Sequence, residues 1–156
     1  MDSLSATLKQ QAVGLGLCRQ WTNEWEECDQ QELIDKFKKG IDFCLLKQFP
    51  SPDFIKRSFD SALLRDNLIF VNEDVYVDDA PSGVYVFNGD CSGEIHFKGW
   101  SAATLYLRHG TSLSVTADDF AKVFVRLYDD SDVNTECGAD ASLKVYHRHN
   151  VGKRRV

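Results

Sequence analysis

The chain has 156 residues, a net charge of −6, and apolar and charged fractions of 43% and 27%. This length suits one typical domain, and the composition is that of a folded globular protein rather than a disordered one. The longest apolar runs, such as residues 68–71, are far too short to cross a bilayer. The negative charge also disfavours unspecific binding to nucleic acid.

The beginning of the chain lacks the basic and apolar regions of a signal peptide, so residence in the cytoplasm is expected. The cysteines agree with a reducing compartment, because their number is odd, no CxxC occurs and none has the spacing of a zinc knuckle. We therefore expect reduced thiols that pack as small apolar side chains. They are Cys18, Cys28, Cys44, Cys91 and Cys137.

Helical spacing of apolar residues marks the first part of the chain. Leu4, Leu8 and Ala12 lie on one face of a predicted first helix, and the glycines that follow end it. Asp29 and Glu32, three residues apart, resemble a capping box in which aspartate takes the cap position. This pair predicts the start of a second helix.

Two more helices are predicted after Gly40, which stands where the second helix would end. Residues 41–48 form a short, mostly buried helix. Ser51 followed by Pro52 is a strong helix start, because proline in the first turn sacrifices no hydrogen bond.

The pattern changes after Asp66. Alternation of apolar and polar residues then predicts one strand over residues 71–77. We predict three regions on this basis: a helical cap over residues 1–66, a β region over residues 67–150 and a basic tail over residues 151–156.

A ten-residue repeat occupies the chain from Gly83 to Asn150, in seven tandem rows when the rows are counted from Pro81. The third, fifth and seventh positions of nearly every row are apolar or small, the positions between them are mostly polar, and turn-forming residues end the rows. The small and apolar set comprises Gly83, Tyr85, Phe87, Gly93, Ile95, Phe97, Ala103, Leu105, Leu107, Leu113, Val115, Ala117, Val123, Val125, Leu127, Val133, Thr135, Cys137, Leu143, Val145 and His147.

Period-two alternation makes each row a half-buried strand. Identical row lengths favour a solenoid, in which each coil must lie on the one below, over an antiparallel meander. One row is too short to turn a full circle, so a coil takes two or three rows. The predicted fold class is α+β, with the helical cap followed by a short β-solenoid. An antiparallel β-sandwich or a cupin-like barrel is the alternative.

The polar columns divide into two faces if a coil holds two rows. One face interleaves aromatic with basic side chains, the composition that stacks on rings and pairs with phosphate. The other is polar and nearly neutral, running from Glu94 to Glu136. Good strand formers that pair across strands would explain the same aromatic residues without any partner. The candidate binding face comprises Tyr106, Arg108, Phe124, Arg126, Tyr128, Lys144, Tyr146 and Arg148.

Catalytic motifs are missing from the sequence: there is no nucleophile elbow, P-loop, dinucleotide fingerprint or metalloprotease helix. The histidines lack the converging partners that zinc needs. The aspartate-rich turns are explained by the hydrogen bonds that aspartate makes to nearby backbone. We therefore assign no catalytic residue, no metal and no cofactor.

The chain resembles a group of small uncharacterised proteins of gut Bacteroidales and of their phages and mobile elements. The resemblance is carried by residues 15–18, Trp21, Trp25, residues 40–44, Pro50, Ser51, Phe54, Ile55, residues 88–93 and residues 123–130. It implies a helical head, a β-solenoid-like tail, and a phage or mobile-element setting in which association with a virion is an alternative to the cytoplasm. It implies no activity and no functional residues.

The sequence as a whole predicts a non-enzymatic binding or assembly protein with no membrane partner. The regular β face would contact a protein, or copies would associate through that face or through the open end of the solenoid. Binding of glycan or nucleic acid by the aromatic and basic columns is one alternative. The other is a small enzyme with a cleft between cap and β region, in which Asp42, His96 or His147 acts as acid or base.

Overall fold

The computed structural model describes residues 3–147, and the chain divides into two compact units between Leu64 and Arg65. The first unit is helical and the second is built of strands. The helices are α1 (Leu4–Gly14), α2 (Arg19–Glu24), α3 (Gln30–Lys39), α4 (Ile41–Lys47), α5 (Pro52–Ser58) and α6 (Ser61–Asp66). Within residues 3–147, none of the helices combines the length and apolarity that a bilayer crossing needs.

The helix starts follow the local signals in the sequence. Asp29 and Glu32 form the predicted capping box at the start of α3, with the Asp29 carboxylate accepting from the Glu32 backbone N–H at 2.8 Å. Ser51 caps α5 in the same way, and Pro52 takes the first helical position. α2, a short helix with no buried residue, was not predicted from the sequence. The core of the helical unit comprises Leu8, Ala12, Leu33, Cys44, Phe49 and Phe54.

The second unit contains parallel strands in two sheets. The strands are β1 (Ile69–Val71), β2 (Asp74–Val77), β3 (Gly83–Asn88), β4 (Ser92–Phe97), β5 (Ala102–Leu107), β6 (Ser112–Ala117), β7 (Lys122–Leu127), β8 (Asp132–Cys137) and β9 (Ser142–His147). The five-stranded sheet has the order β1-β3-β5-β7-β9 and the four-stranded sheet the order β2-β4-β6-β8. Successive strands of the chain therefore alternate between the sheets.

This topology is a parallel β-solenoid of about four turns, as predicted, and each coil holds two rows of the repeat. Strands twenty residues apart pair position for position, as Ala102, Lys122 and Ser142 do. The alternative of an antiparallel sandwich or cupin-like barrel is wrong, because every strand pair is parallel. Rows of equal length are what permits this unbroken register.

The start of the solenoid differs from the prediction of one strand over residues 71–77. The structure contains two short strands there, β1 and β2, and they lie in different sheets. Asn72 breaks the run because its backbone is left-handed, with φ of 49°, a conformation that asparagine tolerates better than most residues. Its side-chain oxygen accepts from the Asp90 backbone N–H at 2.9 Å, which fixes the turn against the next coil.

The core of the solenoid is made of the inward columns of the repeat. Leu105, Val125 and Phe97 are fully buried, and each such side chain stabilises the fold by about 1.5–3 kcal/mol. Burial falls in the last two strands: Val133 and Leu143 pack against the core but stay partly exposed. Among the described residues no further coil covers them.

Glycine is required at one inward position of β4. Gly93 has φ of +136° and lies opposite Val75 of β2 in the register of the four-stranded sheet. A Cβ atom at this position would overlap the backbone carbonyl of Val75. The absent side chain thus permits the close approach of these two strands at the start of the solenoid.

Hydrogen bonds between coils explain the aspartate-rich turns. Gly99 donates its backbone N–H to the Asp119 carboxylate at 2.8 Å, and His109 donates to Asp129 at 3.0 Å. Each accepting residue has a left-handed backbone and lies twenty positions after its donor. The acidic side chains therefore satisfy backbone donors of the preceding coil, which adds an inter-coil partner to the local role expected for them.

Candidate binding surfaces

The outward side of β5, β7 and β9 forms a surface that we call the basic face. It carries three cations, and no acidic side chain stands at the outward positions of these three strands. Phe124 and Tyr146 remain 40% and 48% exposed, although both are large and apolar. The basic face comprises Tyr106, Lys122, Phe124, Arg126, Lys144 and Tyr146.

Ring contacts between neighbouring strands order this face. The rings of Phe124 and Tyr146 stack at 6.3 Å between centroids with an interplanar angle of 21°. The Arg126 guanidinium lies 5.9 Å from the centre of the Tyr106 ring, within the range of a cation–π contact. These contacts hold aromatic and cationic groups in rows along the solenoid while leaving much of their surface open to solvent.

Two predicted members of the binding face lie elsewhere. Arg108 is fully buried and donates from Nη1 to the Asn88 side-chain oxygen at 2.8 Å, and Tyr128 is only 8% exposed. The prediction that they are exposed is wrong, because the strands end at Leu107 and Leu127 and the following column forms the corner of the coil. Arg148, also predicted on this face, lies outside the described residues.

The corner column builds a buried polar ladder instead. Asn88 donates its side-chain amide to the Phe70 carbonyl at 3.1 Å and accepts from Arg108 in the next coil. Thr111, at the other side of the same corner, donates to the Gly89 carbonyl at 2.9 Å. Arg108 was predicted as outward because it is polar, whereas in the structure it donates to Asn88, and Asn88 and Thr111 satisfy buried backbone carbonyls.

The outward side of the four-stranded sheet contains a groove of about 790 Å³. Four carboxylates line it, so we call it the acidic groove. The sequence predicted a polar and nearly neutral face here, so both the concave shape and the acidic charge of the groove differ from the prediction. Its outward lining side chains are Tyr76, Asp78, Glu94, His96, Ser114, Thr116, Asp118, Asn134 and Glu136.

His96 bridges two carboxylates of neighbouring coils in this groove. Its Nδ1 lies 3.1 Å from Asp78 Oδ1 and its Nε2 lies 2.6 Å from Asp118 Oδ2. The Lys98 ammonium is also 3.2 Å from Asp78 Oδ1. The hydrogen bond and charge of Lys98, followed by those of His96, hold the pKa of the Asp78 carboxyl below its usual value.

Two other carboxylates of the groove are unpaired within residues 3–147. Glu94 and Glu136 are exposed, and neither forms a hydrogen bond or ion pair with any described side chain. Glu94 is in register with Ser114 of β6, and Ser114 with Asn134 of β8. Glu136 lies two residues beyond Asn134, so the two carboxylates stand in adjacent outward columns. The groove therefore presents negative charge that no described residue neutralises.

The residues of the enzyme alternative are distributed over the molecule. Asp42 is an exposed residue of α4, His96 lies in the acidic groove and His147 ends β9 in the other sheet. Both ring nitrogens of His96 are engaged by carboxylates, so neither faces an open position where a substrate proton could lie. Among residues 3–147, no three His, Cys, Asp or Glu side chains are grouped in a way that could hold a metal ion.

An exposed aromatic pair marks the corner where the chain leaves β4 and β6. Trp100 is 81% exposed and stacks on Phe120 of the next coil at 4.4 Å between centroids. The sequence analysis did not single out this pair. The signal that could have found it is the tenth column of the repeat, where the two residues stand twenty positions apart.

Comparison of the chain with protein-family models, with curated proteins and with solved structures gives no match.

Proposed function

We propose that this protein is a non-enzymatic binding or assembly protein whose basic face contacts a protein partner, in the phage or mobile-element setting that the resemblance implies. The observation that carries the proposal is the exposed, stacked pair Phe124 and Tyr146 beside three cations, on strands whose outward positions hold no acidic residue. Aromatic residues and arginine are enriched in protein interfaces and dominate their binding energy.

The composition of the face also indicates the chemistry of the partner. Lys122, Arg126 and Lys144 make an electropositive patch on a protein whose net charge is −6. Such a patch steers and orients an acidic surface, while the aromatic rings supply contact area at its centre. A surface with clustered carboxylates is therefore the partner that this face fits.

Several features favour a protein over nucleic acid. The rings of Phe124 and Tyr146 stack on each other, so part of each ring surface is already covered and not open to a base. The overall negative charge also repels a polyanion outside the patch itself. The experiment must distinguish binding of a protein from binding of nucleic acid or glycan through the same side chains.

The test is capture of the partner by the purified protein from a lysate of the native host treated with nuclease. Replacing Tyr106, Arg126 and Tyr146 together by Ser should abolish capture, while the circular dichroism spectrum stays that of the wild type because these side chains point outward. Trp100→Ser, which removes an exposed aromatic outside the basic face, is the matched control and should capture normally.

Undiminished capture of the same partner by the triple variant would contradict the proposal. Capture that occurs only from a parallel lysate without nuclease treatment would assign the face to nucleic acid instead. Elution by soluble oligosaccharide would assign it to glycan.

A further inference from the structure

We infer that the protein partner of the basic face is the acidic groove of a second copy of this chain, so that copies join head to tail. This inference rests on the proposed function, because it names the partner of the same face. It uses the two outward surfaces of the solenoid, which carry opposite charge.

The first support for this inference is the opposite charge of the basic face and the acidic groove. The basic face presents three cations and no acid at its outward positions. In the groove, Asp78 and Asp118 are paired with His96 and Lys98, whereas Glu94 and Glu136 have no partner among residues 3–147. The groove thus keeps free carboxylates, the groups that would receive lysine and arginine side chains.

Matching spacing is the second support. Lys122 and Arg126 stand four residues apart on β7, which is about 13 Å at about 3.3 Å per residue. The two groove carboxylates that lack a partner among residues 3–147, Glu94 and Glu136, are two strands and two residues apart, which is about 12 Å with about 4.8 Å between strands. When the two surfaces face each other, two opposite-charge pairs form together.

The sheets also share their lateral spacing. Both are parallel and neighbouring strands lie about 4.8 Å apart, so side-chain rows of one face run at the same interval as rows of the other. The exposed aromatic pair of the basic face, Phe124 and Tyr146, would then be covered by the floor of the groove. This accounts for two large apolar rings left open to solvent in a single copy.

The size of the surface determines how strong the contact is. Three strands of six residues carry the basic face, which corresponds to roughly 20 Å by 10 Å of sheet. Such an area is well below that of a standard stable interface, so association is expected to be weak, concentration-dependent and sensitive to salt. The contact joins two different surfaces. Each added copy therefore leaves one basic face and one acidic groove free at the ends of the assembly, and further copies can bind there.

Charge reversal provides the test. Lys122→Glu with Arg126→Glu makes the face acidic, and Glu94→Lys with Glu136→Lys makes the groove basic. In sedimentation velocity at low salt, the wild type should form species larger than a dimer as concentration rises, and each variant alone should stay monomeric. An equal mixture of the two variants should assemble again, because every contact between unlike variants has opposite charges.

A control variant has the same change in charge away from both surfaces. Lys47→Glu with Lys56→Glu, in exposed helical positions, matches the face variant in charge and should assemble like the wild type.

Three outcomes would overturn the inference: a wild type that stays monomeric at every concentration, variants that still assemble alone, or a mixture that stays monomeric while the wild type assembles. The proposed function is judged separately. If the wild type is monomeric yet the triple Ser variant loses a captured acidic host protein, the face binds a different partner and only the inference fails.

Discussion

The two sheets of the solenoid have the same backbone and different outward chemistry. Their strands have equal length and parallel register, and their inward columns form one common core. Outside, the five-stranded sheet carries aromatic and basic side chains, whereas the four-stranded sheet carries a polar, acidic groove. The comparison shows that the same coil is compatible with either outward chemistry. The outward columns are therefore free to carry interactions without cost to the core.

The largest expected effect compares one residue type, phenylalanine, at an inward and at an outward position of the repeat. Phe97 is inward and fully buried, whereas Phe124 is outward and 40% exposed. Phe97→Ala should lower the free energy of unfolding by about 3–5 kcal/mol, because the cavity it leaves cannot collapse. Phe124→Ala should cost less than about 1 kcal/mol. Urea unfolding followed by circular dichroism measures both, and equal losses would contradict the division between inward and outward columns.

A smaller effect distinguishes the corners of the coil from its outward face. Arg108 is buried and donates to Asn88, whereas Arg126 is exposed on the basic face. Arg108→Met keeps most of the volume but leaves the Asn88 oxygen without that donor, which should cost about 1–3 kcal/mol. Arg126→Met should change the free energy of unfolding by no more than about 0.5 kcal/mol.

The same urea experiment checks this pair of variants. Similar losses for the two arginines would show that the corner column contributes no more than the open face. A loss confined to Arg108→Met would add the corner column to the parts of the repeat that stabilise the fold.

The smallest effect concerns pH and the turn at His109. Its Nδ1 accepts from the Gly89 backbone N–H at 2.9 Å, so this bond requires the neutral ring. Burial lowers the pKa of His109 below 6.5, Arg108 lowers it further, and the carboxylates of Asp129 and Asp90 act in the opposite direction.

Because the folded pKa lies below the unfolded one, the unfolded chain binds more protons at mildly acidic pH. The contribution of His109 to stability is therefore complete above about pH 6.5 and is lost as the pH falls below that value. His109→Asn keeps an acceptor and tolerates the left-handed backbone, as Asn72 does at an equivalent turn. The variant should lose less stability than the wild type between neutral and mildly acidic pH in thermal unfolding. Identical pH profiles would show that this imidazole does not contribute.

Much of the fold could be predicted because its signals are local. The alternation in rows such as β7 comes from side-chain direction along a strand, and the constant row length indicates stacking. The start of the solenoid could not be predicted in the same way. Residues 71–77 alternate like one strand, yet Asn72 turns the chain into a second sheet. Asn72 occupies a position where the alternation already predicts a polar residue, so its presence does not indicate a turn.

The candidate surfaces were predicted less completely. Residues of alternate rows share a sheet, so Tyr106, Phe124, Arg126, Lys144 and Tyr146 stand together on one outward side, and their role in binding stays a prediction. The corner residues were misplaced, since polarity alone does not distinguish a solvated side chain from one that satisfies buried backbone. The cluster around His96 was missed, because its members come from three different coils.

The repeat, the inward columns and the preference for a solenoid over an antiparallel sandwich follow from the sequence, because each depends on the period of a strand and the length of a row. The folded chain was needed to show that a coil holds two rows, that Arg108 lies in a buried corner, and that His96 joins Asp78 and Asp118 in an acidic groove. The physical reason is that these contacts link residues about twenty positions apart, through the stacking of coils rather than through local backbone geometry.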